Sequence, residues 1–306
     1  MTAPSQNRPP RNSQRQRGAA MIIMMLIVML GLIALFTLRM DRKGPELDAD
    51  RKTALALAQA KEALLGRAAS NDDPGTLSCP DIDDNGTADT EASGECKLVG
   101  GVPQYSGRFP WKTLELGDVF DGSGARLWYV VSANFRDMGT SLTTLTPGTI
   151  SVNGGPPSTI VAVIIAPGPP VAGQSRSLAN KNIITNYLES YVNDTTINTL
   201  APSATFNDRI ITITTNELFS QSTQRIAREL VASLPHPYPV SADTSWYPNA
   251  SWTIKKWDGW LNSSVTTYTQ TDHDHANFIF SNCTSTFKIT WDVLNNKSRI
   301  DRDHGC

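Results

Sequence analysis

The sequence lacks the short motifs that identify the common enzyme classes. It has no G-x-S-x-G nucleophile turn, no phosphate-binding P-loop, no H-E-x-x-H metalloprotease helix and no dinucleotide-binding glycine fingerprint. Histidine is scarce as well, with only 4 residues in the chain. We therefore expect a protein that is not an enzyme, and a hydrolase with an unrecognised site is the least favoured alternative.

A strong net charge of either sign is also absent. Lysine and arginine number 27 and aspartate and glutamate 29, so the composition as a whole does not predict nucleic-acid binding. The local exception is the N-terminus, where Arg8, Arg11, Arg15 and Arg17 precede the first apolar run without an acidic residue among them. Basic residues in this position usually set the orientation of a membrane helix, and a DNA-binding tail is the alternative.

Cysteine is rare, and no pair forms a C-x-x-C motif or stands at zinc-ligand spacing from a histidine. The four cysteines fall into two local groups, Cys79 with Cys96 and Cys283 with Cys306. An even number in an exported domain predicts two disulfides, and we favour pairing within each group because each pair would close a short surface loop. Buried free thiols are the alternative.

Long apolar runs are limited to a single one, Ala19 to Leu38, which contains no charged residue. Its twenty residues predict a helix that crosses a bilayer core of about 30 Å, with a cytoplasmic leader over residues 1–18 and the remainder of the chain exported. A cleaved secretory signal is the rival interpretation. It is disfavoured because no A-x-A site follows the run.

Residues 46–69 are predicted to form a second, amphipathic helix. Gly44 and Pro45 interrupt the preceding segment, and alanine and leucine then dominate. Leu57, Leu64 and Ala68 form an apolar stripe near the helical period, and Ala54, Ala60 and Leu65 are expected to widen it. We expect this stripe to pack on a sheet.

The remaining sequence consists of short β-rich runs separated by Gly, Pro, Asn and Asp, which predicts an α+β head over residues 70–234 and a β-rich region over 235–306. Predicted strands lie at 126–133, 159–166, 209–214, 252–260, 277–281 and 286–293. Predicted helices lie at 182–192 and 215–234, the second of them capped by Thr215.

The junction Gln-Arg-Gly-Ala-Ala, with the apolar run directly after Gly18, resembles the leader junction of type IV prepilins and pseudopilins. The resemblance implies cleavage by a prepilin peptidase between Gly18 and Ala19, methylation of the new N-terminus and a location in the bacterial inner membrane. It also implies a pilin-like α+β fold, in which one long N-terminal helix packs on an antiparallel sheet. The runs that begin at Cys79, Arg108 and Asp121 are similar to patterns in pseudopilin-like proteins.

At the fifth mature position the family usually has glutamate, but this sequence has Ile23. The resemblance therefore implies a minor subunit near the tip of a type IV pilus or a type II secretion filament, similar to K-type pseudopilins and X-type minor pilins. Its implied partners are other pilins, contacted through the N-terminal helix, besides the peptidase and the inner membrane. A plain signal-anchor, a tight-adherence pseudopilin and a membrane-anchored adhesin-like module are the alternatives.

The clearest ligand motif is the acidic segment that begins at Asp81 and fits D-x-D-x-N-G, the first half of a calcium-binding loop. The predicted Ca²⁺ ligands are Asp81, Asp83, Asn85, Thr87 through its carbonyl, and Asp89. The twelfth position is Ala92, so Glu91 or Glu95 would have to complete the site. A solvated acidic turn is the alternative. His273 and His275 could form a transition-metal pair, but they lack a third ligand, and a polar turn is favoured.

Overall fold

The structure is a computed structural model that describes residues 21–32, 44–136, 142–240, 266–281, 283, 286–292, 295 and 297–302. The chain divides into two compact units, residues 1–50 and residues 51–306. The first unit contains a helical stretch over residues 21–32, which we call the N-terminal helical segment. Its large side chains are all apolar and between 54% and 78% exposed.

The prediction of a single-pass inner-membrane protein with a spanning helix at 19–38 is wrong. Within the described ranges, no helix combines the length and the apolar character that are needed to cross a membrane. The part of the N-terminal helical segment that the structure describes is residues 21–32, which corresponds to about 18 Å of helix. The next helix is longer but carries many charged residues.

Helix α1 spans Gly44–Ser70 and includes the whole segment for which the sequence predicts a helix. The predicted stripe residues Leu57, Leu64 and Ala68 are buried in the main core, whereas Ala54 is exposed. Ala60 and Leu65, the other two residues expected to widen the stripe, are buried as predicted. The Lys61 ammonium lies within the core-facing half and contacts the Glu217 carboxylate.

A four-stranded antiparallel sheet forms the centre of the second unit. Its strand order is β3-β4-β6-β9. The strands are β3 Ser106–Arg108, β4 Trp128–Val131, β6 Ile160–Ala166 and β9 Arg209–Thr214. Six consecutive residues of β6 are buried, because both faces of this sheet are covered.

The alternation of side chains along β4 and β6 assigns them to two cores. Tyr129 and Val131 point into the core that also contains the buried residues of α1, whereas Trp128 and Val130 point into a smaller core on the other face. The smaller core is covered by a three-stranded sheet of order β5-β8-β7. Its strands are β5 Ser151–Val152, β7 Tyr191–Asn193 and β8 Thr196–Ile197.

Helix α2, Thr215–Ser233, follows β9 directly. The Thr214 hydroxyl accepts a hydrogen bond from the Glu217 backbone N–H, and the Glu217 carboxylate accepts one from the Thr214 backbone N–H, which completes a capping box. The cap is therefore Thr214 and not the predicted Thr215. The predicted inward-facing residues Leu218, Ile226 and Leu230 are fully buried.

The C-terminal region forms an antiparallel meander of order β10-β11-β12-β13. Its strands are β10 Thr266–Asp272, β11 His275–Phe280, β12 Thr286–Asp292 and β13 Lys297–Arg302, and a small hairpin elsewhere pairs β1 Leu98–Val99 with β2 Val102–Pro103. Phe278, Phe280 and Phe287 from this meander are buried in the main core. The region is thus continuous with the core that contains α1 and α2.

The predicted pilin-like α+β architecture, with one long N-terminal helix packed on a single antiparallel sheet, is wrong. The described residues form four separate sheets, and a long apolar helix is not found among them. The reason is that residues 71–214 alternate short apolar runs with Gly, Pro and Asn turns, which favours many short strands. The helix expected over 182–192 is also wrong, because only a short 3₁₀ turn, Ile184–Asn186, and then β7 occupy it.

Candidate functional site

The acidic loop over residues 81–89 brings three of the predicted ligands together. One carboxylate oxygen from each of Asp81, Asp83 and Asp89 lies within 4.8 Å of the others. Asp81 is buried, while Asp83 is exposed and Asp89 is intermediate. An arrangement of this kind, with carboxylates converging from alternate positions, suits a hard divalent cation.

Asp81 holds the loop in this shape through hydrogen bonds to the backbone. Its Oδ1 accepts from the N–H groups of Asp84 at 2.7 Å and Asn85 at 3.2 Å, and its Oδ2 accepts from the N–H of Gly86 at 2.7 Å. The loop turns sharply because Asp84 and Gly86 both adopt positive φ, at 66° and 89°. Burial nevertheless raises the pKa of Asp81 above its usual value, and the three N–H donors partly offset this rise.

The other side chains that the sequence offers as ligands already have hydrogen-bond or ion-pair partners. Asn85 lies in the loop, but its Oδ1 accepts a hydrogen bond from the Thr87 N–H at 2.7 Å, so this oxygen already has a partner. Neither Glu91 nor Glu95 joins the carboxylate group among the described residues. Glu91 accepts from the Leu98 N–H at 3.0 Å, and Glu95 pairs with an arginine at 2.5 Å.

Basic side chains surround the acidic loop and balance much of its charge. The Lys97 ammonium lies 3.1 Å from Asp89 Oδ1, which raises the pKa of Lys97, and Asp83 adds to this effect at longer range. Arg126 pairs with Asp84 at 2.8 Å, and the Lys181 ammonium donates to the Asp83 carbonyl at 3.0 Å. A divalent cation would therefore compete with the Lys97 ammonium for the Asp89 carboxylate.

The Cys79–Cys96 disulfide brackets this loop, with a Cα–Cα distance of 5.4 Å, and the predicted pairing is confirmed. Cys283 is also disulfide-bonded. Its predicted partner Cys306 lies outside the described residues, as do the predicted leader site Gly18 and Ala19.

A second polar feature, which the sequence did not predict, is a stack of two arginines on one tyrosine. The Arg108 guanidinium lies 4.0 Å from the ring centroid of Trp128 and 4.2 Å from that of Tyr187, and Arg176 approaches Tyr187 at 5.0 Å. Burial lowers the pKa of Arg108 below its usual value, and Asp84 partly offsets this. The stack joins the central sheet to the loop that contains Arg176, whose guanidinium also donates to the Gly168 carbonyl at 2.5 Å.

Next to this stack lies Asp208, a buried carboxylate with incomplete hydrogen bonding. Its Oδ2 accepts from the Ser190 N–H at 2.7 Å, but its Oδ1 is buried without a hydrogen-bond partner in the part of the chain that the structure describes. Burial raises the pKa of Asp208 to about 7, and the negative Glu189 adds to this rise. No sequence signal marks this residue.

Because the pKa of Asp208 is higher in the folded protein than its unfolded value of 3.8, ionisation opposes folding. Asp208 therefore contributes most to the free energy of unfolding below about pH 4, where its carboxyl is protonated in both the folded and the unfolded state. This contribution should be lost as the pH rises towards about 7. We expect Asp208→Asn to increase the free energy of unfolding at pH 8 by about 1–3 kcal/mol and to flatten this pH dependence, as measured by urea denaturation. The exposed Asp301→Asn is the control, and an equal change in both variants would contradict this assignment.

His273 and His275, for which the sequence favours a polar turn over a metal pair, have no third metal ligand among the described residues. His275 Nδ1 lies 2.7 Å from Asp272 Oδ1, and the His273 carbonyl accepts a hydrogen bond from the Tyr238 N–H at 3.1 Å. Within the described ranges no metal-competent group includes either histidine. The favoured interpretation as a polar turn agrees with these contacts.

No known family matches this sequence, and comparison with curated proteins and with solved structures likewise found no significant match.

Proposed function

We propose that this chain is a minor structural subunit of a type IV pilus-like or type II secretion-like filament, which assembles with other pilins through its N-terminal helical segment. The observation that supports this most directly is the exposure of that segment. Residues 21–32 present apolar side chains on every side, each at least half exposed. A helix that is apolar all round needs cover on all its faces, and neighbouring helices of a filament shaft would provide it.

The junction at Gly18 and Ala19 supports the same class, since cleavage there would release the apolar segment as a new N-terminus. Ile23 takes the place of the family's glutamate. A subunit without that carboxylate is less suited to the repeating shaft, because it cannot neutralise the N-terminal amine of a neighbour. We therefore place the subunit at or near the filament tip.

Mass spectrometry of the N-terminus in the native host tests this proposal directly. The expected mature protein begins at Ala19 and carries an N-methyl group. Replacing Gly18 with a bulky residue should leave the full leader in place. Recovery of the wild-type protein with Met1 intact would refute the filament class.

Assembly itself is tested with a matched pair of charge substitutions. Ile27→Asp places a carboxylate on the apolar segment, and Leu178→Asp does the same at an exposed leucine outside it. We expect Ile27→Asp to lower the amount of this subunit in sheared filaments at least tenfold, because a charge that is desolvated between helices costs several kcal/mol. The Leu178→Asp variant should be incorporated at the wild-type level. Equal incorporation of both variants would contradict assembly through this segment.

We also propose that the acidic loop of this subunit binds Ca²⁺, which would stabilise the folded state. The convergence of Asp81, Asp83 and Asp89, together with the turn at Gly86, supports a site of the weak extracellular kind, with a dissociation constant of about 1 mM. Asp81 and Asp83 would supply carboxylate oxygens, Thr87 its carbonyl, and Asp89 a carboxylate now shared with Lys97.

Thermal unfolding with added Ca²⁺ measures this site. At about 10 mM Ca²⁺ the folded state should gain about 1.4 kcal/mol, and Asp83→Asn should lose most of that gain. Removing the competing ammonium with Lys97→Gln should tighten binding by up to about fivefold, whereas Lys297→Gln on β13 should not change it. The same melting temperature with and without Ca²⁺ in wild type and in Lys97→Gln would refute the site.

A further inference from the structure

An open groove of about 940 Å³ runs along helix α1. One wall is the helix from Lys52 to Ala63, and the other is the segment Leu116–Asp121. The groove is lined mainly by apolar side chains, and two of them, Leu55 and Phe120, are 54% and 44% exposed. These two side chains give the groove apolar surface that a partner could cover.

The shape of the groove suits a helix. Lys52, Leu55, Gln59 and Glu62 follow one another at intervals of three or four residues, so they lie on a single face of α1. Small side chains separate these residues, and they would let a second helix approach to about 8–10 Å. The wall from Lys52 to Ala63 corresponds to about 17 Å of helix, or three turns.

The charges on this face are placed at opposite ends and are unpaired. Lys52 lies at one end and Glu62 at the other, and neither side chain makes a hydrogen bond or an ion pair within the described residues. A partner helix for this face should therefore present an acid opposite Lys52 and a base opposite Glu62. An antiparallel copy of α1 itself has this pattern.

We propose that the groove binds α1 of a second copy of this chain in an antiparallel, twofold-symmetric dimer. With the twofold axis near position 57, Lys52 of each copy lies opposite Glu62 of the other, and Leu55 lies opposite Gln59. Each Leu55 then inserts its exposed side chain between α1 and the 116–121 segment of the other copy. A parallel, in-register pairing would instead place Lys52 against Lys52 and Glu62 against Glu62, which is repulsive.

The dimer is weak, because each copy contributes fewer residues than the 20–30 of a standard stable interface. The dimer proposal is also separate from the filament proposal, since it uses the part of α1 from Lys52 to Ala63 and not the N-terminal helical segment. Dimerisation and filament incorporation are therefore measured in separate experiments, and failure of one proposal does not imply failure of the other.

Charge exchange in the full-length chain tests the register. Lys52→Glu and Glu62→Lys each convert both ion pairs into like-charge contacts and should weaken dimerisation about tenfold, as measured by sedimentation velocity over a concentration series. The double variant Lys52→Glu/Glu62→Lys restores opposite charges across the axis, so its dimerisation should return to within about twofold of wild type. A wild-type monomer at millimolar concentration, or a double variant no better than the single ones, overturns the proposal.

A cysteine pair separates this dimer from association through any other segment. Ala58 lies next to the proposed axis, so Ala58→Cys should form an intermolecular disulfide on mild oxidation. Gly66 is also exposed on α1, with open space for a side chain, but the antiparallel register places its two copies about 27 Å apart. We expect no crosslink from Gly66→Cys, and equal crosslinking of both variants would rule out the antiparallel register.

Discussion

Replacing Leu64 with alanine should lower the free energy of unfolding by about 2–5 kcal/mol. Leu64 is 0% exposed and belongs to the core that α1 shares with α2 and the central sheet. Truncation would remove its apolar contacts and leave a cavity that the surrounding strands and helices cannot fill. Urea denaturation of the full-length protein, followed by tryptophan fluorescence, measures the change.

Leu55→Ala is the matched control for this prediction, because it makes the same substitution on the same helix at a side chain that is 54% exposed. At concentrations below dimerisation it should change the free energy of unfolding by no more than about 0.5 kcal/mol. The contrast between the two leucines tests the orientation of α1 directly. Equal effects would show that α1 does not pack on the sheet through this face.

Gly86→Ala should destabilise the protein by about 2–4 kcal/mol. Gly86 has a φ of +89°, which costs a residue with a Cβ about 1–2 kcal/mol. In addition, a Cβ at this position would lie 2.5 Å from Trp111 Cε2, so the indole ring would have to move. Trp111 packs against the main core, and its displacement adds the cost of local repacking.

Gly124→Ala isolates the backbone component of that cost. Gly124 has a φ of +83°, and a Cβ there would meet no atom within 4 Å. We expect Gly124→Ala to cost about 1–2 kcal/mol, so that the difference between the two variants reports the Trp111 contact. If both variants lose the same amount, the close approach of Gly86 to Trp111 does not hold. The same Gly86 variant should also lose Ca²⁺-dependent stabilisation, because the backbone shift that relieves the Trp111 contact would move the N–H of residue 86 away from Asp81 Oδ2.

The elements predicted with least ambiguity were those in which local pattern and burial agree. Strand β6 is a continuous apolar run that ends at a proline, and β9 consists of β-branched residues after Arg209, so the sequence predicts the bounds of both to within a residue or two. The run over 182–192 contains Ile, Tyr and Leu at a spacing that also suits a helix. Tertiary packing decides the outcome there, since Tyr187 and Leu188 face the smaller core.

The acidic loop was predictable because its ligand residues are adjacent in sequence. Alternate aspartates followed by asparagine and glycine identify a turn of oxygen donors without knowledge of the fold. The surrounding cations were not predictable, since Arg126 and Lys181 reach the loop from about 40 and 100 residues away. Asp208 was missed for the same reason, because nothing local distinguishes a buried aspartate from an exposed one.

What the sequence by itself determined is local: the amphipathic stripe of α1, the apolar character of residues 21–32, the main strands and the acidic turn with its disulfide. Each depends on neighbours within a few residues, where periodicity and turn chemistry act. Only the tertiary structure decided the number of sheets, the burial of Asp208 and the groove beside α1, and it overturned the expected pilin-like fold and membrane span. These features depend on which segments, distant in sequence, pack against one another and bury each other's surface. A pattern of neighbouring residues does not encode such contacts.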